Sequence, residues 1–300
     1  MLYNNLSSYL RENYGRRLKK ICIDGGFTCP NRDGKCGTGG CIFCGERGAG
    51  EHIDPTLSIR EQVARALSDG GEDDLFIAYF QNFTNTYAPV GTLRERYDAA
   101  LTDGRIKILS VGTRPDCIDR DNCALLSEYK KTHEVWVEFG LQTADDGTAK
   151  IINRGYTRET FERAMKLLSE YGLKAVVHIM IGLPGENIEN VKETIGYLSG
   201  FDIFGIKIHS VYVMRGTRLA EMLSEKRYTP PTLSEYTDAA VYALTHVSRD
   251  VIIHRLTGDC PRELLVAPDW NLDKNAILDA IRGKMEREGL TQGCFFNTRD

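Results

Sequence analysis

The chain has 300 residues, 42% of them apolar, enough to bury one large α/β core or two small ones. A formal net charge of −4 and a pI of about 5.9 argue against strong non-specific binding to nucleic acid, which needs a basic surface. Met1 to Leu10 is short and polar, without the apolar core of a signal peptide, and no run of about 18 apolar residues is present to cross a membrane, so a cytoplasmic protein with no membrane contact is expected.

Read in chain order, strand-like apolar runs alternate with helical patterns. A basic run, Arg11, Arg16, Arg17, Lys19 and Lys20, reads either as a solvated face or as a site for an anionic partner. Ile21 to Ile23 reads as a strand, followed by a long loop rich in Gly and Cys that ends near Thr56. Ser58 caps a helix to Leu67; then come a strand at Leu75 to Phe80 and a helix at Leu93 to Leu101. The alternation continues with strands at Ile106 to Val111, Val135 to Phe139, Ala175 to Ile181 and Ile203 to Val213, and helices at Asp119 to Lys130, Thr160 to Tyr171 and Ile188 to Leu198. After Thr232 follow two more helical stretches, Leu233 to His246 and Lys274 to Arg287, with a short strand, Val251 to His254, between them.

Such β–α alternation predicts a parallel sheet with crossover helices. Six units suit an α/β fold of the partial (β/α)6 barrel kind, and a doubly wound open sheet is the structural alternative. Residues 1–232 are expected to form the barrel, with a loop over 25–56, and residues 233–300 a helical extension capping it.

Five of the nine cysteines fall between Cys22 and Cys44. In a reducing compartment such clustering points to metal rather than disulfides. Cys41 and Cys44 form a C-x2-C pair on one turn, and Cys29 precedes them. A structural zinc would take a fourth ligand from Cys22 or Cys36. Three cysteines could instead hold a four-iron cluster, and the loop's position after the first strand favours this, because barrel active sites form at the C-terminal ends of strands.

The loop resembles that of the radical S-adenosylmethionine (SAM) enzymes. Its "GGF-CPNRDG" stretch, Gly25 to Gly34, and its C-x11-C-x2-C spacing are similar to those of the YtqA/YhcC family, a relative of the radical-SAM part of the elongator catalytic subunit. The resemblance implies that Cys29, Cys41 and Cys44 ligate a [4Fe-4S] cluster whose open iron binds SAM, with Cys22 and Cys36 as bystanders. Phe43 packs on the adenine or simply fills the loop. Tyr79 to Pro89 matches the family's "YFQ-x2-TNTYAP", placing Gln81, Thr84 and Asn85 near the SAM amino group, unless they satisfy their own turn.

Further motifs follow. Thr113 to Asp116 matches "TRPD", in which Arg114 either binds an anion or pairs with Asp116. Glu138 to Thr143 and Asn153 to Tyr156 resemble the "E-x-G-x-Q-S … NRGH" stretch of relatives. There the Gln and Arg contact SAM, which implies that role for Gln142 and Arg154. Tyr156 stands where relatives usually have His. A carboxylate at Glu138, inside a strand, needs a partner. His178 either contacts SAM or is a satisfied core residue, and Gly182 lies in a "GLPGE" turn that lets backbone approach the adenine. Lys207 to Thr217, His254 to Asp259 and Leu265 to Trp270 match later family motifs; Trp270 stacks on a base or, preferably, anchors the cap.

The activity this resemblance implies is reductive cleavage of SAM to methionine and a 5′-deoxyadenosyl radical, fed by a reducing donor such as flavodoxin or ferredoxin. The substrate it implies is the anticodon loop of tRNA, with the 5-carboxymethylaminomethyl group of the wobble uridine converted to 5-aminomethyl. The basic run from Arg11 to Lys20 is where RNA backbone contacts would first be sought. A small metabolite or a protein side chain is the alternative substrate, and a zinc-stabilised binding module the alternative to an enzyme.

Overall fold

The computed structural model describes residues 2–48, 50 and 53–296. Residue 1, residues 49, 51 and 52 of the expected loop, and residues 297–300 of the expected extension lie outside the described residues.

Helix α1 (Leu6–Tyr14) starts where the Asn5 side chain accepts the Ser8 N–H, and stops at Gly15. Strand β1 (Leu18–Ile23) leads into the long cysteine loop, and α2 (Ile59–Ser68) begins at a reciprocal capping box between Ser58 and Glu61. Then come β2 (Leu75–Phe80), α3 (Val90–Ala100), β3 (Ile106–Thr113), α4 (Arg120–Tyr129), β4 (Glu134–Gln142), α5 (Asp146–Ile151), α6 (Arg158–Glu170), β5 (Lys174–Ile181) and α7 (Ile188–Leu198). The second half adds β6 (Gly205–Ser210), β7 (Val213–Met214), α8 (Arg218–Ser224), α9 (Leu233–His246), β8 (Ile252–Arg255), β9 (Leu265–Ala267) and α10 (Lys274–Arg287).

Seven strands form one sheet in the order β1-β2-β3-β4-β5-β6-β8, and every neighbouring pair is parallel. The order follows the chain without reversal, as in a barrel and unlike a doubly wound sheet. The expected partial barrel is present, and its tail contributes more than a cap: the strand read at Val251 to His254 within the extension spans Ile252–Arg255 and pairs with β6 as a seventh strand. The predicted run from Ile203 to Val213 divides, since Val213 and Met214 leave the barrel to pair antiparallel with β9. The short α5 and α8 were not visible as helices, being only 6 and 7 residues long.

Alternation along the strands separates two cores. Phe76, Ala78 and Phe80 of β2 pack outward with the helices, while Ile77 and Tyr79 face the lumen. The lumen's lower layer is apolar: Leu18, Ile77, Ile108, Trp136 and Val176 pack with Leu10 of α1, which plugs that end. Tyr9 and Tyr14 donate their hydroxyls to Glu134 at 2.7 and 2.6 Å, fixing the plug to the base of β4. Ahead of the plug, Asn4 O accepts the Ile253 N–H at 2.8 Å, laying this segment against the edge of β8. Helix α9 lies against α7 and β5, and α10 against α9.

Candidate functional site: a cysteine loop over a polar lumen

The upper end of the barrel carries the cysteine loop. The Cys44 N–H donates to Cys41 O at 3.0 Å, making the tight turn that sets the two thiols together. Burial first, then Cys44 and Cys29 as neighbours, push the Cys41 thiol up to about 12. Ionised together, neighbouring thiols repel one another and call for positive charge between them, which fits a metal cluster. Asn31 donates through Nδ2 toward Cys41 Sγ at 3.9 Å, the kind of N–H···S contact that tunes a cluster. The two other cysteines of the region point elsewhere. Cys36 is exposed, with its thiol 3.7 Å from an Asp116 oxygen, and Cys22 lies in the lumen beside Lys20 and Lys207. Among the described residues no three His, Cys, Asp or Glu side chains converge on a point for a single ion. A four-iron cluster makes a different demand, because each cysteine binds a different iron.

Two arginines and an asparagine hold the loop. Arg32 donates to the carbonyls of Cys44 and Gly45 at 3.2 and 2.5 Å and lies over the Phe83 ring. Gly40, at φ 73°, is needed there: a Cβ would meet Arg32 Nε at 2.9 Å. From the turn after β4, Asn153 donates to Thr38 O and Gly40 O, and its carbonyl accepts from Asn31 Nδ2 at 2.5 Å. Arg114 forms a two-pronged pair with Asp116, at 2.8 and 2.7 Å, and also donates to Arg154 O. Of the two roles open to Arg114 in the sequence, the structure shows the pair.

Arg154 is 1% exposed. Its Nη1 donates to Leu141 O and Thr143 O at 2.7 Å each, its Nη2 to Asp146 Oδ1 and Tyr156 O, and its Nε to Tyr156 O. All five guanidinium donors are thus engaged by the protein. The sequence expectation placed this fork on the SAM carboxylate; in the structure it ties the end of β4 to the turn that grips the cysteine loop. Tyr156 lies between the guanidinium groups of Arg114 and Arg154, 5.0 and 4.5 Å from its ring, and donates its hydroxyl to Gly140 O. Gln142 sits beside it at a bulge with φ 62°, a strained conformation for this residue type, and its Oε1 accepts from Tyr156 at 3.4 Å.

After β2, the Thr84 and Asn85 side chains are fully buried. Asn85 donates to Phe80 O and Gly112 O, bridging the ends of β2 and β3. Asn82 Oδ1, Thr84 Oγ1 and Asn85 Oδ1 are buried without a hydrogen-bond partner among the described residues. Unpaired buried acceptors are costly, and an ammonium group would satisfy them. Gln81, whose N–H reaches Ile23 O at 3.4 Å, is half-buried at the mouth of the lumen. On the opposite side Phe43 packs with Met180, Leu183, Val211 and Val213, an apolar shelf at the ends of β5 and β6. Gly182, at φ 98°, turns beneath it; a Cβ would strike Pro231 Cδ at 2.6 Å, and its carbonyl accepts from Tyr228 at 2.7 Å.

Below these loops the lumen is polar. Glu138 is 2% exposed and accepts from Ser110 Oγ at 2.6 Å, His178 Nε2 at 2.7 Å and Lys207 Nζ. Burial would raise its pKa, but Lys207 and His178 outweigh it and hold the carboxyl well below the usual range. Burial and Lys207 bring His178 down to about 4, so the imidazole is neutral and donates through Nε2. Lys207 also donates to the Tyr79 hydroxyl at 3.2 Å. The sequence reading flagged the need for a partner at Glu138 without identifying Lys207. The available signal was a lysine between two isoleucines, Ile206 and Ile208, in a parallel strand, where an unpaired ammonium is not tolerated. Trp270 donates to Pro231 O at 3.1 Å and packs on Tyr236, so it anchors the extension.

A partial parallel barrel with three gathered cysteines at the C-terminal ends of its strands is the architecture of a radical SAM protein. Comparison with known proteins agrees. A profile of the radical SAM superfamily matches residues 32–198, and one of the radical SAM C-terminal domain matches residues 203–287. The chain is 35% identical over 298 residues to YtqA of Bacillus subtilis, covering 98% of this chain and 92% of that one. It is 37% identical over 270 residues to YhcC of Escherichia coli, covering 90% and 87%. Among solved structures it resembles the Elp3 of Methanocaldococcus infernus with a TM-score of 0.68 at 21% identity, covering 92% of this chain and 64% of that one. Coproporphyrinogen III oxidase of Escherichia coli shares the fold at a TM-score of 0.51. The chain belongs to the radical SAM superfamily and, within it, to the family of YtqA and YhcC. Its cofactors are accordingly a [4Fe-4S] cluster and SAM. Among the described residues no helix is long and apolar enough to cross a membrane.

Proposed function

We propose that this radical SAM enzyme modifies tRNA, converting the 5-carboxymethylaminomethyl group of the wobble uridine to 5-aminomethyl. Cys29, Cys41 and Cys44 are the proposed cluster ligands. Asn85, Thr84 and Gln81 are proposed on the SAM amino side, with Phe43 and the Gly182 turn on the adenine side. Gln142, Glu138 and His178 line the space between these groups and the floor, and Arg154 positions rather than binds. When bound, the cluster and SAM supply one-electron cleavage of SAM and a carbon radical able to take a hydrogen atom from a C–H bond beside an amine. The protein's part is to hold SAM over the lumen, exclude bulk water through the apolar plug of α1, and present the substrate carbon.

The observation that carries this reading is a barrel lumen with a polar floor, Glu138, His178 and Lys207, beneath the cysteine loop. An unstacked base can be splayed into such a space, which is how single-stranded loops reach buried chemistry. Relatives add support: a protein of Methanocaldococcus infernus named tRNA uridine(34) acetyltransferase is 24% identical over 330 residues, with this chain spanning 60% of its length. The basic run is not the proposed RNA contact. Arg16 donates to Asp73 O, Arg17 to Ser7 Oγ, and Lys19 pairs with Asp74 at 2.5 Å, all around the plugged end, while Lys20 turns into the lumen. A cytoplasmic setting and a flavodoxin or ferredoxin donor complete the proposal. Mass spectrometry of tRNA nucleosides from a deletion strain tests it. The 5-carboxymethylaminomethyl form should accumulate and the 5-aminomethyl form vanish; an unaltered profile overturns the RNA reading in favour of a small metabolite or protein substrate.

A further inference from the structure

The seven-stranded sheet does not close on itself, so its edges β1 and β8 flank a side opening into the lumen. Each edge carries a cation near that opening. Lys20, on β1, shares the lumen face with Leu18 and Cys22 and stands 5.7 Å from the Tyr79 ring. Lys20 is exposed to solvent at this edge, and the protein packed around its stem lowers its pKa. Among the described residues it makes no ion pair. On the opposite edge, Arg255 is in register with Lys207. Asp259 stands 3.7 Å from Arg255 but 2.8 Å from Lys274, its closer partner.

The other charges in the lumen are accounted for. Glu138 and Lys207 neutralise each other, and Lys207 sits 4.3 Å over the same Tyr79 ring. His178, His209 and His254 are held neutral by burial. Burial likewise keeps the Cys22 thiol protonated. The lumen is therefore positive in excess, and the excess lies at its side opening. A concave site lined by one sign of charge concentrates the opposite sign.

We propose that Lys20 and Arg255, on the two lips of the open barrel, bind the carboxylate of the substrate. The inference rests on the reading that the reacting group enters this lumen, and it requires no particular macromolecule. An ammonium on one edge and a planar guanidinium on the other suit a carboxylate, which can accept from both at once. The neighbouring neutral side chains, Tyr79 and His178, would face the amine-bearing part of the same molecule.

The test uses the full enzyme loaded with cluster and SAM and carrying 13C-methylated lysines, titrated with N-methylglycine, a small carboxylate beside a secondary amine. The Lys20 and Lys207 signals should shift saturably with the acid and not with its methyl ester. Arg255→Gln should weaken this binding roughly tenfold, the worth of one charge-assisted hydrogen bond. Lys20→Met should abolish the saturable response of Lys207, and Lys20→Arg should keep it. Lack of a saturable shift, an equal response to the ester, or equal binding of inorganic phosphate would overturn the proposal. None of these readouts uses RNA, so a failure here is distinguishable from an unaltered nucleoside profile.

Discussion

The two ends of the barrel are built from the same seven strands and could hardly differ more. The lower end is an apolar layer of Leu18, Ile77, Ile108, Trp136 and Val176 closed by α1, and the half-buried carboxylate at its base, Glu134, is satisfied by two tyrosines, Lys174 and the Trp136 N–H. The upper end holds neighbouring thiols, unpaired buried amide and hydroxyl oxygens and, among the described residues, three of the four non-glycine residues of positive φ, namely Phe83, Gln142 and Asn153. Strain and unmet hydrogen-bonding capacity collect mostly where ligands are to be bound; at the shut end the exception is the buried His254 ring beside Trp136, whose nitrogens have no partner among the described residues.

If that division is correct, damage at the top should remove function and damage at the bottom should remove stability. The largest effect is expected from Cys41→Ala, which should abolish bound iron, visible absorbance and SAM cleavage together, whereas Cys36→Ala should retain all three. Retained SAM cleavage in Cys41→Ala would break the ligand assignment. Next, Glu138→Gln leaves Lys207 buried without its counter-ion and should cost roughly 3–5 kcal/mol in denaturant unfolding. Removing both charges, with Lys207→Met added, should restore part of this. Leu10→Ala opens a cavity in the lower plug and should cost about 2–5 kcal/mol, with SAM cleavage per folded molecule unchanged.

A smaller effect is expected from pH. The three lumen histidines have depressed pKa values, His178 at about 4, so the folded state prefers them neutral. Their contribution is fully present above the unfolded imidazole value of about 6.5, and stability should decline as pH falls from there toward 4, because the unfolded chain takes up protons first. Thermal melts across that window should show the decline, and His178→Asn should flatten it. The smallest effect should come from Tyr14→Phe, which removes one hydrogen bond to Glu134 at the lower end and should cost about 1 kcal/mol without touching SAM binding.

Much of this was legible in the sequence. The strands of the barrel announced themselves because strands buried on both faces are written as continuous apolar runs, such as Leu75 to Phe80 and Ile106 to Val111. The cysteine spacing and the order of motifs pointed to the upper rim. What the sequence did not yield were pairings that depend on distant chain segments meeting. Arg154 was read as a SAM contact because its motif resembles one in which the arginine contacts SAM; that Leu141, Thr143, Asp146 and Tyr156 take all its donors is decided by the path of the turn after β4. Lys20 was read with its basic neighbours, yet strand alternation separates it from Lys19 and turns it inward. Val251 to His254 looked like part of the extension because a helix-rich stretch surrounds it, and only pairing with β6 makes it part of the barrel.

The strap at the barrel's lower edge bears on how the protein is made. The Asn4 N–H donates to the Gln292 side chain, 288 positions away, and Gln292 returns its own N–H to Leu2 O. Asn4 O accepts from Ile253 of the seventh strand. During synthesis the plug helix is therefore available long before the strand and the loop that pin it in place. The lower end of the lumen is closed among the last events of folding, through contacts of the longest sequence separation and hence of high loop-closure entropy. Until then the lower end of the lumen stands open to solvent, and the apolar layer around Trp136 is covered only when both ends of the chain have met.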